Sequence, residues 1–194
     1  MPVPLDRTDT IKTISRLKEI TDEQPHCLEG FLWLADLYFD IDSLGAAEVN
    51  FKHALKIDGK NIYALFQLGM IYYQQNKYTM AIDFFETALA LKTTGNISID
   101  YNTDPVIGVD KYDIPTMELI YRKAVAYYYN RNLRESLNDL EICIQHDYLL
   151  GSCFLYRGAI YLEQNNKKSA CNDFKEALAH HNDLAAEYLQ KYCQ

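Results

Sequence analysis

The chain has 194 residues, of which 48% are hydrophobic and 24% are charged, so it is long enough to bury one cooperative core. It contains only 5 Pro and 8 Gly, and we expect most of it to be ordered. The net charge of -8 argues against nucleic acid or an anionic membrane as the main partner, because both need a basic surface.

The N-terminus and the cysteines predict the location of the protein. The opening "MPVPLDRTDT" lacks the charged head and apolar run of a signal peptide. No stretch reaches the roughly 18 uninterrupted apolar residues of a membrane span. The odd number of cysteines, with no CxxC pair, predicts reduced thiols and a cytoplasmic protein; these are Cys27, Cys143, Cys153, Cys171 and Cys193.

Four similar phrases divide the chain into helical units. They are "FDIDSLGAAEVN", "YQQNKYTMAIDF", "YNRNLRESLNDL" and "LEQNNKKSACND", and their alignment starts the units at residues 28, 62, 117 and 151. The first two starts and the last two are 34 residues apart, which is typical of stacked helical hairpins. In chain order the sequence predicts a lone second helix at 8–25, units at 28–61 and 62–92, an insertion at 93–115, units at 117–150 and 151–182, and a final helix at 183–193.

Each unit has small residues where the two helices of a hairpin must cross, because a larger side chain would push them apart. Counted from the start of each unit, position 8 is Ala35, Gly69, Ala124 and Gly158, position 20 is Ala47, Ala81, Ser136 and Ala170, and position 27 is Ala54, Ala88, Cys143 and Ala177. Position 11 is always tyrosine: Tyr38, Tyr72, Tyr127 and Tyr161. Bulky residues fill position 24: Phe51, Phe85, Leu140 and Phe174.

This pattern resembles the tetratricopeptide repeat (TPR) family. The resemblance implies an all-α, right-handed α-solenoid of about four full repeats, with an N-terminal half repeat and a C-terminal capping helix as its polar ends. We expect Thr8 or Asp9 to cap the first helix, and Asn182 or Asp183 to cap the last. Two features depart from the family: Lys123 and Arg157 replace the usual leucine at position 7, and no repeat has the proline of position 32.

The insertion at 93–115 changes composition toward Ile, Val, Asp, Gly and Pro, and "ISIDY" and "VIGVD" flank a turn signal. One interpretation is a loop that packs locally. The alternative is a short hairpin or arm that lies near the concave face and gates it, since loops of this length are often functional.

No sequence motif of an enzyme, cofactor or metal site is present. A metal site built from His180, His181 and Cys171 is an alternative, but helical spacing does not place all three on one face. We therefore expect a non-catalytic protein without a metal or cofactor.

In TPR proteins, positions 2, 5, 9, 12 and 13 of the first helices line the concave groove. The resemblance therefore implies a partner-binding groove formed by Leu32, Asp36, Phe39, Asp40, Tyr63, Phe66, Met70, Tyr73, Glu118, Tyr121, Val125, Tyr128, Leu155 and Leu162. Leu32 and Asp36 stand where chaperone-binding TPR domains carry clamp residues for a C-terminal carboxylate, so this groove is unlike a carboxylate clamp. The alternative for some of these aromatics is packing against the next hairpin.

A groove of Tyr, Phe and Met with a few acids suits a protein or peptide segment. We predict an adaptor or chaperone-like module that binds an apolar or amphipathic segment, with basic residues meeting Asp36, Asp40 and Glu118. The alternative is a structural or assembly subunit that self-associates, as a homodimer through its terminal helices, or belongs permanently to a larger complex.

Overall fold

The structure is a computed structural model that describes residues 7–94 and 112–193. All regular secondary structure in these ranges is helical. The helices are α1 (Arg7–Glu23), α2 (Leu28–Asp40), α3 (Leu44–Ile57), α4 (Ile62–Gln74), α5 (Tyr78–Thr94), α6 (Thr116–Tyr129), α7 (Leu133–Gln145), α8 (Leu150–Glu163), α9 (Lys167–Ala179) and α10 (Leu184–Tyr192).

The helices form four hairpins, α2–α3, α4–α5, α6–α7 and α8–α9, with α1 packed before them and α10 after them. Each hairpin turns through one residue in the left-handed backbone region, at Asp42, Asn76, Arg131 and Asn165. Asn and Asp tolerate this conformation better than other residues with a side chain. The predicted all-α, right-handed α-solenoid is confirmed.

Small residues allow the helices of each hairpin to approach closely. A Cβ atom placed on Gly69 would lie 2.5 Å from the ring of Phe85, and one on Gly158 would lie 2.7 Å from the ring of Phe174. Both phenylalanines are fully buried. Glycine is therefore required at these two crossings by its size, because no side chain fits between the helix and the ring.

The two cations that depart from the repeat pattern form ion pairs inside their own hairpins. Lys123 Nζ lies 3.2 Å from Asp139 Oδ2, and Arg157 Nε lies 2.7 Å from Asp173 Oδ2. Both aspartates are buried. The third and fourth hairpins thus replace a leucine contact with an ion pair between their first and second helices.

Two predictions about the ends of the chain are wrong. Helix α1 begins at Arg7, so Thr8 and Asp9 lie within the helix and do not cap it. Cys171 on α9 and Cys193 after α10 form a disulfide, although the sequence predicted reduced thiols. Spacing alone could not reveal this pair, because 22 residues separate the two cysteines and only the packing of α10 on α9 brings them together.

Only the two ends of the predicted insertion lie within the described residues. Residues 95–111, on which the predicted hairpin or arm falls, lie outside them. At the C-terminal end, the buried Ile114 packs into the core of the first two hairpins. Asp113 forms an ion pair with Lys92 at 2.9 Å.

Candidate functional site

The predicted groove residues lie on the first helices of the hairpins, α2, α4, α6 and α8. Five of the fourteen are buried: Leu32, Tyr63, Phe66, Tyr121 and Val125. Leu32, Tyr63 and Phe66 belong to the core of the first two hairpins, and Tyr121 and Val125 to that of the third. For these five side chains the structure supports the packing alternative, since little of their surface is open to a partner.

Tyr63 shows how this packing joins successive repeats. Its hydroxyl donates a hydrogen bond of 2.7 Å to Asp36 Oδ1 on the preceding first helix. The ring of Tyr112, from the end of the insertion, meets it edge-on at 4.8 Å. Burial, reinforced by the Asp36 carboxylate, raises the pKa of Tyr63 far above its usual value. The phenol therefore stays protonated and keeps this donor role.

The other nine predicted residues keep accessible surface. Asp40 is exposed, and the remaining eight are partly buried: Asp36, Phe39, Met70, Tyr73, Glu118, Tyr128, Leu155 and Leu162. Phe39, Met70 and Tyr73 border the first core, whereas Leu155 and Leu162 pack beside Phe174 in the last hairpin. These side chains contribute both to packing and to the surface.

Five tyrosines from three consecutive hairpins form one continuous group of rings. We call this group the tyrosine cluster, and its members are Tyr73, Tyr78, Tyr128, Tyr129 and Tyr156. The Tyr129 ring is central, with centroids 5.4 Å from Tyr78, 5.8 Å from Tyr73, 5.2 Å from Tyr128 and 6.2 Å from Tyr156. Most of these pairs meet edge to face, the geometry that aromatic rings favour. Tyr129 remains 42% exposed at the centre of the cluster.

Tyr129 stands at groove position 13 of its repeat but is not among the fourteen predicted residues, and the sequence missed Tyr78 and Tyr156 altogether. Tyr78 is the first residue of the second helix α5, and Tyr156 lies on α8 at position 6 of its repeat. Neither is at a position that the family uses for ligands. The sequence feature that could have revealed the cluster is the run of three tyrosines that ends at Tyr129, because a side chain at the end of α6 can reach both neighbouring hairpins.

The cluster is aromatic and has a charged edge. Burial raises the pKa of Tyr73, Tyr128 and Tyr156, so their phenols are neutral at physiological pH. At the edge, Arg131 Nη2 lies 2.8 Å from Glu163 Oε2. The cluster thus presents aromatic surface and hydroxyl groups that suit peptide recognition.

Glu118 and Asp36, which were expected to meet basic residues of a ligand, have partners in the protein. Glu118 Oε1 lies 2.6 Å from Arg122 Nε, and Glu118 Oε2 accepts a hydrogen bond from the Tyr148 hydroxyl. Asp36 accepts its bond from Tyr63. A basic ligand would have to compete with these contacts.

No group of three His, Cys, Asp or Glu side chains suited to a metal ion occurs within residues 7–94 and 112–193. Of the ligands considered from the sequence, Cys171 is in the disulfide and the His180 ring stacks on Phe154 at 5.8 Å. The described helices also include none with the length and apolar character needed to cross a membrane.

Comparison with known proteins identifies the repeat. The sequence profile of the tetratricopeptide repeat family matches residues 62–92, which contain α4 and most of α5. A crystal structure of MamA aligns with 95% of this chain and 99% of its own, at a TM-score of 0.71 and 19% identity. Cut9, in the structure of the APC/C hetero-tetramer Cut9-Hcn1, gives a TM-score of 0.69 at 15% identity, covering 87% of this chain and 30% of that chain.

This chain therefore carries a tetratricopeptide repeat at residues 62–92 and has the fold of TPR solenoids. It is also 32% identical to neutrophil cytosol factor 2 of Mus musculus over 87 residues, which are 45% of this chain and 16% of that protein. The chain therefore corresponds to a small part of that relative. Its TPR fold is that of a protein–protein interaction module, and such modules are generally non-catalytic.

Proposed function

We propose that this TPR protein is a non-catalytic adaptor or chaperone-like module that holds an apolar or amphipathic segment of a partner protein along the inner face of its first helices. The tyrosine cluster carries this proposal. It joins three hairpins into one aromatic surface, and its central ring, Tyr129, is 42% exposed. A large aromatic residue so exposed at the centre of a preformed surface is a typical anchor for a partner side chain.

The cluster is also pre-organised for binding. Its rings are held by one another and by the flanking helices, so little side-chain entropy is lost when a ligand docks. Net charge of -8 and the exposed Asp40 favour a segment that places basic residues beside its apolar ones. A module of the same fold in the Cut9-Hcn1 hetero-tetramer is part of a protein complex, which agrees with this role.

The test compares two exposed hydrophobic residues, one in the tyrosine cluster and one that is not a member of it. A library of random peptides displayed on phage is selected on the immobilised protein, and the selected peptides are synthesised. Tyr129→Ala should weaken their binding at least about tenfold, the loss of a typical aromatic anchor. Met80→Ala, on the second helix α5 and 41% exposed, should bind like the wild type.

Circular dichroism of both variants verifies that the helices remain. Equal affinity of the peptides for the Tyr129→Ala variant and the wild type would refute the proposal that the tyrosine cluster is the binding surface.

The alternative, a subunit that self-associates, draws on α10. Leu184 at its start is 59% exposed and would pack in a dimer interface. Light scattering over a range of protein concentrations separates the two functions, because an adaptor keeps the mass of one chain until its partner is added. The predicted cytoplasmic location has lost part of its basis, since Cys171 and Cys193 form a disulfide and such bonds persist mainly in oxidising compartments.

A further inference from the structure

Within residues 7–94 and 112–193, no first helix forms a hairpin with α1, as one does with every other second helix. In the four hairpins, position 20 of the repeat lies against the first helix of the same hairpin and is fully buried, as at Ala47, Ala81, Ser136 and Ala170. The residue one period before Ala47 is Thr13 on α1, and it is exposed. The inner side of α1 is therefore open where a first helix would pack.

Helix α2 is exposed on the side that, in later repeats, packs against the preceding first helix. In the fourth repeat, Tyr156 packs on Tyr128 of the preceding first helix, with ring centroids 5.3 Å apart. The equivalent residue of the first repeat is Trp33, and it is 51% exposed. In the second repeat, Tyr63 bonds to the preceding first helix, whereas its equivalent in the first repeat, Glu29, is exposed.

We propose that this open surface binds an amphipathic helix of a partner protein, which takes the position that a first helix has in the other hairpins and pairs with α1. We call the surface the N-terminal slot, and it consists of Thr13, Arg16 and Ile20 on α1 with Glu29 and Trp33 on α2. It lies at the end of the solenoid, whereas the tyrosine cluster spans the second to fourth repeats. The proposal is therefore independent of the function proposed for that cluster.

The charges of the slot indicate which helix it takes. In the third and fourth hairpins, a cation of the first helix pairs with an aspartate of the second: Lys123 with Asp139, and Arg157 with Asp173. The residue of α1 equivalent to those aspartates is Arg16, which is exposed and has the opposite charge. The incoming helix should therefore carry an acid at this position.

Two further positions follow from the same repeat geometry. The next residue of the incoming helix must be small, because its counterparts in the four hairpins are Ala35, Gly69, Ala124 and Gly158. The following residue of the incoming helix corresponds to Asp36 of the first repeat, which accepts a hydrogen bond from Tyr63 of the second repeat. In the slot, the residue equivalent to Tyr63 is Glu29. A basic residue satisfies this contact. The slot thus selects an acidic–small–basic sequence, followed by apolar residues opposite Trp33.

A helix of another protein fits the slot better than a first helix of a second copy. The first helices of a second copy carry Leu34, Leu68, Lys123 and Arg157 at the position that faces Arg16, and none of these is acidic. Charge complementarity therefore favours a different protein.

The probe is a synthetic peptide with the sequence of residues 116–129, a first helix of this protein, changed by Lys123→Glu and Val125→Lys. It carries the acidic–small–basic sequence, and its last two tyrosines lie opposite Trp33. Trp33 is the single tryptophan of the chain, and the peptide contains none, so tryptophan fluorescence reports on the slot alone. We expect a saturable blue shift of the emission as the indole leaves water.

Charge-reversed pairs make the test specific. Arg16→Glu should weaken binding of the probe by about fivefold, the effect of one exposed ion pair. The unchanged 116–129 peptide, which keeps Lys123, should bind the Arg16→Glu variant better than the wild type. Tyr129→Ala should bind the probe like the wild type, which separates failure of the slot from failure of the tyrosine cluster.

Three results would overturn the proposal. The first is the absence of a saturable shift, and the second is a shift that Arg16→Glu leaves unchanged. The third is a blue shift that grows with protein concentration before any peptide is added, because a second copy would then fill the slot.

Discussion

The ion pair between Arg157 and Asp173 offers a sharp test of how the fourth hairpin is held together. Arg157 Nε and Nη2 lie 2.7 and 2.8 Å from the two carboxylate oxygens of Asp173. The side chains are only 19% and 7% exposed, so both charges are largely removed from water. Asp173→Asn leaves the guanidinium buried without its counter-ion.

The loss of unfolding free energy expected for Asp173→Asn follows from this burial. Breaking a buried ion pair by removing one partner costs about 3–5 kcal/mol of unfolding free energy. We expect the lower end, about 3 kcal/mol, because part of the Arg157 side chain reaches solvent. The double change Arg157→Leu with Asp173→Asn copies the first hairpin, which has Leu34 and Asn50 at these positions. It should lie within about 1 kcal/mol of the wild type, since no charge is left buried.

Urea unfolding followed by circular dichroism measures these differences. An unchanged slope of unfolding free energy against urea concentration shows that each variant exposes the same surface when it unfolds. Arg131→Gln is the control. It breaks the ion pair with Glu163 in which the arginine is 68% exposed, and it should cost less than about 1 kcal/mol. The reasoning fails if Asp173→Asn costs no more than this control, or if the double variant is as unstable as the single one.

Three further predictions concern other parts of the chain. Reducing the disulfide that holds α10 should lower the unfolding free energy by about 3 kcal/mol, the entropy of a loop of 22 residues, and urea unfolding with and without a dithiol measures it. Gly158→Ala should lower the unfolding free energy by about 1–3 kcal/mol, because the new Cβ atom meets the Phe174 ring. Gly45→Ala should raise the unfolding free energy by about 0.5–1 kcal/mol, because nothing lies within 4 Å of its Cβ position. Thermal unfolding measures both changes. Burial raises the pKa of Tyr73 and Tyr156, so these phenols stay protonated in the folded protein. The free energy of unfolding should therefore be constant below about pH 10 and should fall above it, because the phenols of the unfolded chain ionise there. Absorbance titration of the folded protein should show tyrosines that ionise only on unfolding.

The same considerations limit which groove variants are useful. Replacing Tyr63, Phe66 and Tyr121 by alanine would remove three buried rings, so loss of binding could not be distinguished from loss of folding. The sequence marked these positions correctly as lying on first helices. Which side chains stay open depends on how far each helix rotates toward its neighbour, and this is a property of the packed solenoid.

The sequence by itself determined the repeat architecture. Small residues such as Gly69 and Gly158, and the fillers that meet them, recur at a constant period because each hairpin must solve the same local packing problem. Such short-range requirements leave a pattern that can be read in one chain. The same regularity places Arg16 and Trp33 at positions whose partners in other repeats are known.

Only the tertiary structure decided the contacts that break this regularity. The Cys171–Cys193 disulfide, the ion pair of Arg157 with Asp173, and the meeting of Tyr78 and Tyr156 around Tyr129 all join residues that are not neighbours in the sequence. Each depends on distances between helices that no spacing along the chain specifies. The repeat pattern sets which surfaces face each other, but the three-dimensional packing determines which side chains touch and which remain open to a partner.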